Sequence, residues 1–329
     1  MYNTKKYVKQ AVDSVLNQSF QDCEVIIVDD CSTDGSYEFC QSLYGKNERV
    51  HIIHREKNGG VALARNSGLR EATGKYVALL DSDDVILPDA LEILYESAEM
   101  NNADIVTTSA FLRSKEEEIG EISQNTTTLE FIGKPTKNVT LFQYPPPMSP
   151  DYFQKRLDDY LNNIYGFCIV FNKLYLRKFL MHNNLFLDPY AEDRLFTFRC
   201  MLYVQRYVKI PNIINVYRNI PVSVSRQPAS AEHLQRMVRG LNGFAMEFNN
   251  YMKDIEFFNQ HPEYRFAVLE RQLLEVDNYE TMRYYPDTQG VNIGVIKLVE
   301  QEMEKIFGEN SPMVEWLFHR YHLLSRRIT

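Results

Sequence analysis

The sequence predicts an α/β fold in which helices flank a mostly parallel sheet, followed by a helical C-terminal region. Two short apolar runs, Val25–Val28 and Tyr76–Leu80, have the length and composition of strands buried on both faces of such a sheet. Helical and strand patterns alternate through residue 111, and repeated βα order is typical of parallel pairing. From residue 230 onward, apolar residues at helical spacing dominate.

The alternation predicts a definite order of elements over the first third of the chain. We expect a helix that begins near residue 8, a strand at 25–28, a helix at 36–44, a strand at 50–53, a helix at 61–72, a strand at 76–80, a helix at 88–101 and a strand at 104–111. The predicted organisation has three parts: an α/β half at 1–111, a second half at 112–226 with an irregular or β-hairpin insertion at 113–150, and the helical region at 227–329.

Both apolar runs end in carboxylates, which parallel strands would bring to one edge of the sheet. Asp29 and Asp30 follow the first run, and Asp81-Ser82-Asp83-Asp84 follows the second. Ligands of parallel sheets bind beyond the carboxyl ends of the strands, and Mg²⁺ or Mn²⁺ takes carboxylate and phosphate oxygens. Asp81 and Asp83 are therefore candidate ligands of a divalent cation that also binds a diphosphate. The alternative is an acidic turn that only caps the next helix.

Composition argues against several other classes of protein. The chain has 329 residues and 44% hydrophobic content, enough for a substantial core and about two domains. Its net charge of -8 argues against a nucleic-acid partner. Five cysteines without a C-x-x-C pair indicate neither a disulfide framework nor a zinc site, and they favour a reducing cytosol. Because we find no glycine-rich phosphate loop, signal peptide or membrane-crossing stretch, we expect a soluble or peripheral protein.

A series of linked motifs occurs in the order and spacing of one enzyme family. They are Tyr2-Asn3, Val28-Asp29-Asp30-Cys31-Ser32-Thr33-Asp34-Gly35-Ser36, Asn58-Gly59-Gly60, Ala64-Arg65-Asn66-Ser67-Gly68, Leu80-Asp81-Ser82-Asp83-Asp84 and Pro88-Asp89. With these motifs the chain resembles a family 2 inverting glycosyltransferase with the GT-A fold, of the type that builds bacterial cell-surface polysaccharides. The similarity continues through Phe171–Tyr175 and Ala191–Phe196 and fades after Tyr217-Arg218 and Ser223, so it covers roughly two thirds of the chain.

The resemblance implies a role for each candidate residue that would bind the nucleotide. Asp30 would accept a hydrogen bond from the imide N–H of uracil, Tyr2 would stack on the base, and Arg65 would reach a base carbonyl or the phosphates. Asp81 and Asp83 would hold Mn²⁺ or Mg²⁺ together with the diphosphate. The alternatives are structural: Asp30 could be only a helix N-cap, Arg65 a solvated helix residue and Tyr2 a disordered end.

The resemblance also implies a general base, Asp193. The Glu192-Asp193 pair opens an amphipathic helix, where backbone N–H groups favour an ionised carboxylate. In the enzymes resembled, the Asp of this pair deprotonates the acceptor hydroxyl, and one direct displacement inverts the anomeric configuration. The expected activity is metal-dependent transfer of a sugar from a UDP-sugar, bound by residues 1–111, to a hydroxyl of a glycan or lipid-linked acceptor, bound by residues 112–226. The alternatives are an acid that only caps the helix and, for the whole chain, a non-catalytic sugar-nucleotide-binding partner subunit.

Each end of the chain has an expectation of its own. The resemblance implies an apolar interior strand that ends in Tyr2-Asn3, but only Met1 precedes these residues, so we expect either a misassigned start or a truncation. The segment Trp316–Arg327 combines apolar residues with positive charge. It is interpreted either as an amphipathic helix on the cytoplasmic face of an anionic membrane, or as a helix packed on its own domain or on a second subunit.

Overall fold

The computed structural model describes residues 1–108, 110–114, 119, 129–133, 137–146, 149, 151–162, 169–189, 192–220, 246–276, 304 and 308. The chain divides into two compact units, Met1–Pro221 and Val222–Thr329. The division into three parts at 111 and 226 stays a prediction. The segment Trp316–Arg327 lies outside the described residues, and so do the predicted membrane contact and subunit contact.

The first third of the chain has the predicted alternation of helices and strands, except that β3 ends at Ala78 and a second short strand, β4, precedes the next helix. The elements are α1 (Val8–Leu16), β1 (Val25–Asp29), α2 (Ser36–Tyr44), β2 (Val50–His54), α3 (Val61–Glu71), β3 (Tyr76–Ala78), β4 (Val85–Ile86), α4 (Ala90–Asn101) and β5 (Ile105–Thr108). The predicted strand at 104–111 is two strands, because β5 and the following β6 (Ala110–Ser114) pair with different neighbours.

The rest of the first unit adds strands and three helices around the same sheets. The elements are β7 (Leu129–Gly133), β8 (Thr140–Gln143), α5 (Tyr152–Asn162), β9 (Lys173–Leu176), α6 (Arg177–His182), α7 (Glu192–Tyr203), β10 (Arg206–Ile210) and β11 (Asn215–Tyr217). Strands β6 and β7 pair antiparallel, with Ala110 opposite Gly133 and Ser114 opposite Leu129. A β-hairpin pairing therefore exists at the start of the predicted insertion.

Three groups of paired strands make up the described sheets. Strand β1 pairs parallel with β2; a second sheet has the order β3-β9-β5-β10-β8, and a third has the order β4-β11-β6-β7. Pairing is parallel between β5 and β10 and between β6 and β11, and it is antiparallel at the other contacts of these two sheets. The α/β class is confirmed. Parallel and antiparallel pairs mix more than the sequence predicted, because β9 runs opposite to both of its neighbours.

Two apolar clusters hold the strand ends that carry the acids. One joins α1, β1 and α2 through Val8, Ile27 and Cys40. The other joins α4, β5 and β10 through Leu94, Val106 and Val208, and Tyr76 of β3 packs against it. At about 25 cal/mol per Å² of buried apolar surface, such clusters supply the main driving force that fixes these elements. The acidic loops after β1 and β3 therefore project from a rigid base.

Met1 extends along the edge of β1. Its ammonium group donates to the Val28 carbonyl at 2.8 Å, and its own carbonyl accepts the Asp30 N–H at 2.8 Å. These two bonds set the position of the next residues, so Tyr2 lies beside the carboxyl end of β1.

The described part of the second unit is helical, as predicted. Residues 246–253 are helical (α8), and α9 (Glu256–Gln260) and α10 (Pro262–Val276) follow. In the portion of the chain that the structure describes, no helix is both long enough and apolar enough to cross a membrane.

Candidate active site

Asp30, at the end of β1, is buried and holds the loop before α3. Its carboxylate accepts the N–H groups of Gly59, at 3.1 Å, and Gly60, at 2.7 Å. It also forms an ion pair with Arg55. These contacts hold the loop that precedes α3, and none of them caps the helix that follows Asp30 in sequence. The predicted contact with uracil stays a prediction.

The second acidic strand end is a turn with three carboxylates in four residues. Asp81 is partly exposed, whereas Asp84 is fully buried. Burial and the neighbouring charge of Asp81 raise the pKa of the Asp83 carboxyl. Burial, Asp81 and Asp83 together raise the pKa of Asp84 well above its ordinary value. The turn therefore stabilises a positive charge placed beside it.

Arg218, directly after β11, holds this turn in place from its buried side. It is buried; its Nε donates to the Asp83 carbonyl at 2.5 Å, and its backbone N–H donates to Asp84 Oδ1 at 2.8 Å. The guanidinium lies 4.9 Å from the centre of the Tyr7 ring, and Nη2 donates to Gln10 Oε1 at 2.6 Å. Sequence reasoning assigned this arginine no role; its only signal was the Tyr-Arg pair where the family similarity fades.

Arg65, on α3, connects the acidic turn with α7. Its Nη2 donates to Asp81 Oδ1 at 2.6 Å, and its Nη1 donates to Asp193 Oδ1 at 2.8 Å. The arginine side chain is 12% exposed, and those of Asp81 and Asp193 are 28% and 25% exposed. Hydrogen bonds between charged groups in such partly buried positions are stronger than neutral ones. One guanidinium therefore bridges the predicted metal ligand and the predicted base.

Asp193 is the second residue of α7, as the sequence predicted. Burial raises the pKa of its carboxyl; the positive charge of Arg65 opposes this, the charge of Asp81 adds to it, and Lys173 also lowers the pKa. The sequence suggested that the helix N-terminus keeps this group ionised. In the structure Arg65 is the leading influence that lowers its pKa.

Tyr2 lies at the rim of these acids. Its side chain is 48% exposed. The next two residues attach it to both acidic loops, because Asn3 Oδ1 accepts the Thr33 N–H at 2.8 Å and the Thr4 hydroxyl donates to the Ser82 hydroxyl at 3.0 Å. The exposed ring has room to stack on a flat ligand, and this role stays a prediction.

The structure thus brings most of the predicted residues to one place. Arg65, Asp81 and Asp193 are in direct contact. Asp83 lies in the same turn as Asp81, and Asp30 holds the N-terminal loop of the helix that carries Arg65. The ion pair between Arg55 and Asp30 is the second contact that sequence reasoning missed.

The carboxylates of the acidic turn can be compared with the ligands that a divalent cation needs. Among the described residues, no three His, Cys, Asp or Glu side chains form a group that could hold a metal ion. Mg²⁺ usually binds through one or two carboxylates together with substrate phosphates. The pair Asp81 and Asp83, in which one carboxyl has its pKa raised by burial and by the other, fits an ion that a diphosphate helps to hold.

The chain is similar in sequence to bacterial glycosyltransferases. The chain is 41% identical to the glycosyltransferase GlyG of Streptococcus pneumoniae over 106 residues, which cover 32% of this chain and 35% of that protein. It is 28% identical to the glycosyltransferase EpsJ of Bacillus subtilis over 257 residues, 76% of this chain and 68% of that protein. The match to GlyG therefore spans only about a third of that relative.

The fold is similar to that of a solved bacterial enzyme. The structure of Staphylococcus aureus TarS 1–349 in complex with UDP-GlcNAc matches with a TM-score of 0.63 and 17% identity, covering 100% of this chain and 87% of that one. At this identity the likeness shows the fold alone, which is the predicted GT-A type. The family model for Glycosyl transferase family 2 matches residues 1–183, more than half of the chain. The chain belongs to glycosyl transferase family 2.

Proposed function

We propose that this glycosyltransferase moves a hexosyl or N-acetylhexosaminyl group from a UDP-sugar to a hydroxyl of a glycan or lipid-linked acceptor, with inversion at the anomeric carbon. The observation that carries this proposal is the double contact of Arg65 with Asp81 and Asp193. Because one guanidinium touches both, a proposed ligand of the cation and a group that can take a proton lie side by side. A direct displacement needs that arrangement.

Asp193 is the proposed general base. Its carboxylate would take the proton of the acceptor hydroxyl as the hydroxyl oxygen forms its bond to the anomeric carbon. The bond from that carbon to the diphosphate oxygen breaks in the same step, and the nucleoside diphosphate leaves with the electron pair. Attack opposite to the leaving group inverts the configuration. General bases in this role contribute about 10²–10⁴-fold to the rate.

Asp81 and Asp83 are the proposed ligands of Mn²⁺ or Mg²⁺, which would neutralise the charge that develops on the leaving diphosphate. The raised pKa of Asp83 supports this role, since a cation there relieves the repulsion between the two carboxylates. Arg65, which lies against Asp81, is placed to contact the phosphates that this cation would hold. Arg218 keeps the turn in position from the buried side.

The proposed donor is a uridine nucleotide. Asp30 would accept the imide N–H of uracil, and the exposed ring of Tyr2 would stack on the base. The similarity in fold to TarS, whose structure contains UDP-GlcNAc, supports a UDP-sugar for this chain. By the same likeness to bacterial glycosyltransferases, we propose that the acceptor belongs to cell-surface polysaccharide synthesis on the cytoplasmic side of the membrane.

A thermal-shift screen tests the proposed donor. The protein is melted with UDP-, TDP- and GDP-sugars, each with and without Mn²⁺. A UDP-sugar at about 100 times its Kd should raise the Tm by roughly 5–10 °C, and more with Mn²⁺ than without. If GDP-sugars stabilise the protein and UDP-sugars do not, the donor assignment is wrong. Turnover is then measured as release of UDP from the donor that stabilises the protein. When no acceptor is present, UDP is released by transfer of the sugar to water.

A further inference from the structure

Arg55 covers the residue that is proposed to read the base. It follows β2 directly; its backbone N–H donates to the Asp29 carbonyl at 2.9 Å, and its guanidinium pairs with Asp30. The Arg55 side chain is 18% exposed, whereas that of Asp30 is 3% exposed. A ligand group that reaches the Asp30 carboxylate from solvent therefore also meets Arg55.

The loop before α3 is shaped to admit this guanidinium. A Cβ atom on Gly59 would lie 2.8 Å from Arg55 Nη2 and 2.9 Å from Nη1, closer than real Cβ contacts. Glycine at this position therefore lets the guanidinium lie against the backbone. The backbone N–H groups of Gly59 and Gly60 occupy the loop side of the Asp30 carboxylate, so Arg55 takes the remaining approach.

Asp30 and Arg55 together present a hydrogen-bond acceptor next to a hydrogen-bond donor. The edge of uracil carries a carbonyl acceptor, the imide N–H donor and a second carbonyl acceptor, in that order. An ionised carboxylate only accepts hydrogen bonds, and a guanidinium only donates them through several N–H groups. Cytosine presents an amine donor and a ring-nitrogen acceptor at the matching positions, so it is mismatched with both side chains.

We propose that Arg55 is a specificity-determining residue that selects uracil together with Asp30, by donating an N–H to a base carbonyl while Asp30 accepts the imide N–H. This inference rests on the proposed UDP-sugar donor. Without nucleotide, the Arg55 N–H occupies the acceptor position of the imide, and on binding it turns to the neighbouring carbonyl. Arg65, for which the family resemblance implies a base carbonyl or the phosphates, contacts Asp81 and Asp193.

The test compares UDP and CDP binding in matched variants by calorimetry, in the presence of Mn²⁺. Arg55→Leu removes the donor, and Lys57→Leu removes an exposed cation from the same loop as a control. We expect Arg55→Leu to weaken UDP binding by about 10–100-fold, the worth of one hydrogen bond to a charged group, and to reduce the preference for UDP over CDP. Lys57→Leu should leave both Kd values within about threefold of the parent.

A second variant, Gly59→Ala, tests the inference even if Arg55→Leu does not fold. Gly59→Ala keeps the charge of Arg55 but displaces its guanidinium and the end of the Leu63 side chain, and the backbone of Gly59 does not require positive φ. It should also reduce the preference for UDP over CDP while the melting temperature stays near that of the parent. Parental UDP affinity in Arg55→Leu, or weaker binding of UDP and CDP by the same factor, would overturn the inference. A parent protein that binds no UDP would instead overturn the proposed donor, and this inference with it.

Discussion

Replacement of Arg65 tests whether the contact between the acidic turn and α7 positions the reacting groups. Arg65 makes two charge-assisted hydrogen bonds, of 2.6 and 2.8 Å, to Asp81 and Asp193. Each such bond is worth about 1.5–3 kcal/mol. Lysine has one compact charge without the planar fork, so Arg65→Lys can keep one bond at most. We therefore expect kcat/KM to fall by about 10–100-fold, at about 1.4 kcal/mol for each factor of ten.

Arg65→Met removes both bonds and leaves the two carboxylates without the cation between them. The corresponding loss in kcat/KM is about 10²–10⁴-fold. The assay is the initial rate of UDP release from the donor that the thermal-shift screen identifies. Arg70→Lys is the control, because Arg70 lies on the same helix but is exposed and lies over the Phe186 ring. Parental kcat/KM in Arg65→Lys would refute the positioning role.

Three further predictions concern the acids and the core. Asp83→Ala should abolish the part of UDP binding that depends on Mn²⁺; calorimetry that returns the parental Kd with Mn²⁺ would rule out the metal assignment. Burial raises the pKa of Asp193 and the base must be ionised, so the rate should fall as the pH drops through that pKa. Because Arg65 lowers this pKa, the acid limb of the rate should move to higher pH in Arg65→Met, and an unmoved limb would argue against Asp193 as the base. Buried Arg156 donates to three backbone carbonyls, so Arg156→Met should lower the free energy of unfolding by about 1–3 kcal/mol for each carbonyl left without a donor; an unchanged urea midpoint would contradict this.

Local patterns in the sequence predicted the elements that carry the site. The run before Asp30 ends in buried residues, as predicted. The run before Asp81 was predicted to be buried on both faces, and this was wrong: β3 is an end strand of the described sheet, its residues are half-buried or exposed, and Asp84 after it is buried. The start of α7 at Glu192 was likewise predicted, but the helix is not amphipathic as expected, because nearly all of its residues from Leu195 to Leu202 are buried. Such signals lie within a few neighbouring residues, so they can be read without knowledge of the fold.

The arginines that pair with the acids could not be predicted from such local patterns. Arg65 and Asp193 are 128 positions apart, and the Arg218 backbone contact with Asp84 spans 134 positions. Contacts at such separations depend on how the sheets assemble, and the assembly was the less predictable part, since β9 lies between β3 and β5. Arg55 is only 25 positions from Asp30, but the contact also needs Gly59 to leave room for the guanidinium.

The most direct test of the account is a side-by-side measurement of donor affinity and turnover in Asp193→Asn. Asparagine keeps the shape of the side chain but cannot take a proton at this position. The account predicts that the Kd of UDP with Mn²⁺ stays within about threefold of the parent, while UDP release at saturating donor falls by about 10²–10⁴-fold. Unimpaired turnover at parental affinity would contradict the claim that Asp193 is the base of a glycosyltransferase active site built on Arg65 and the acidic turn.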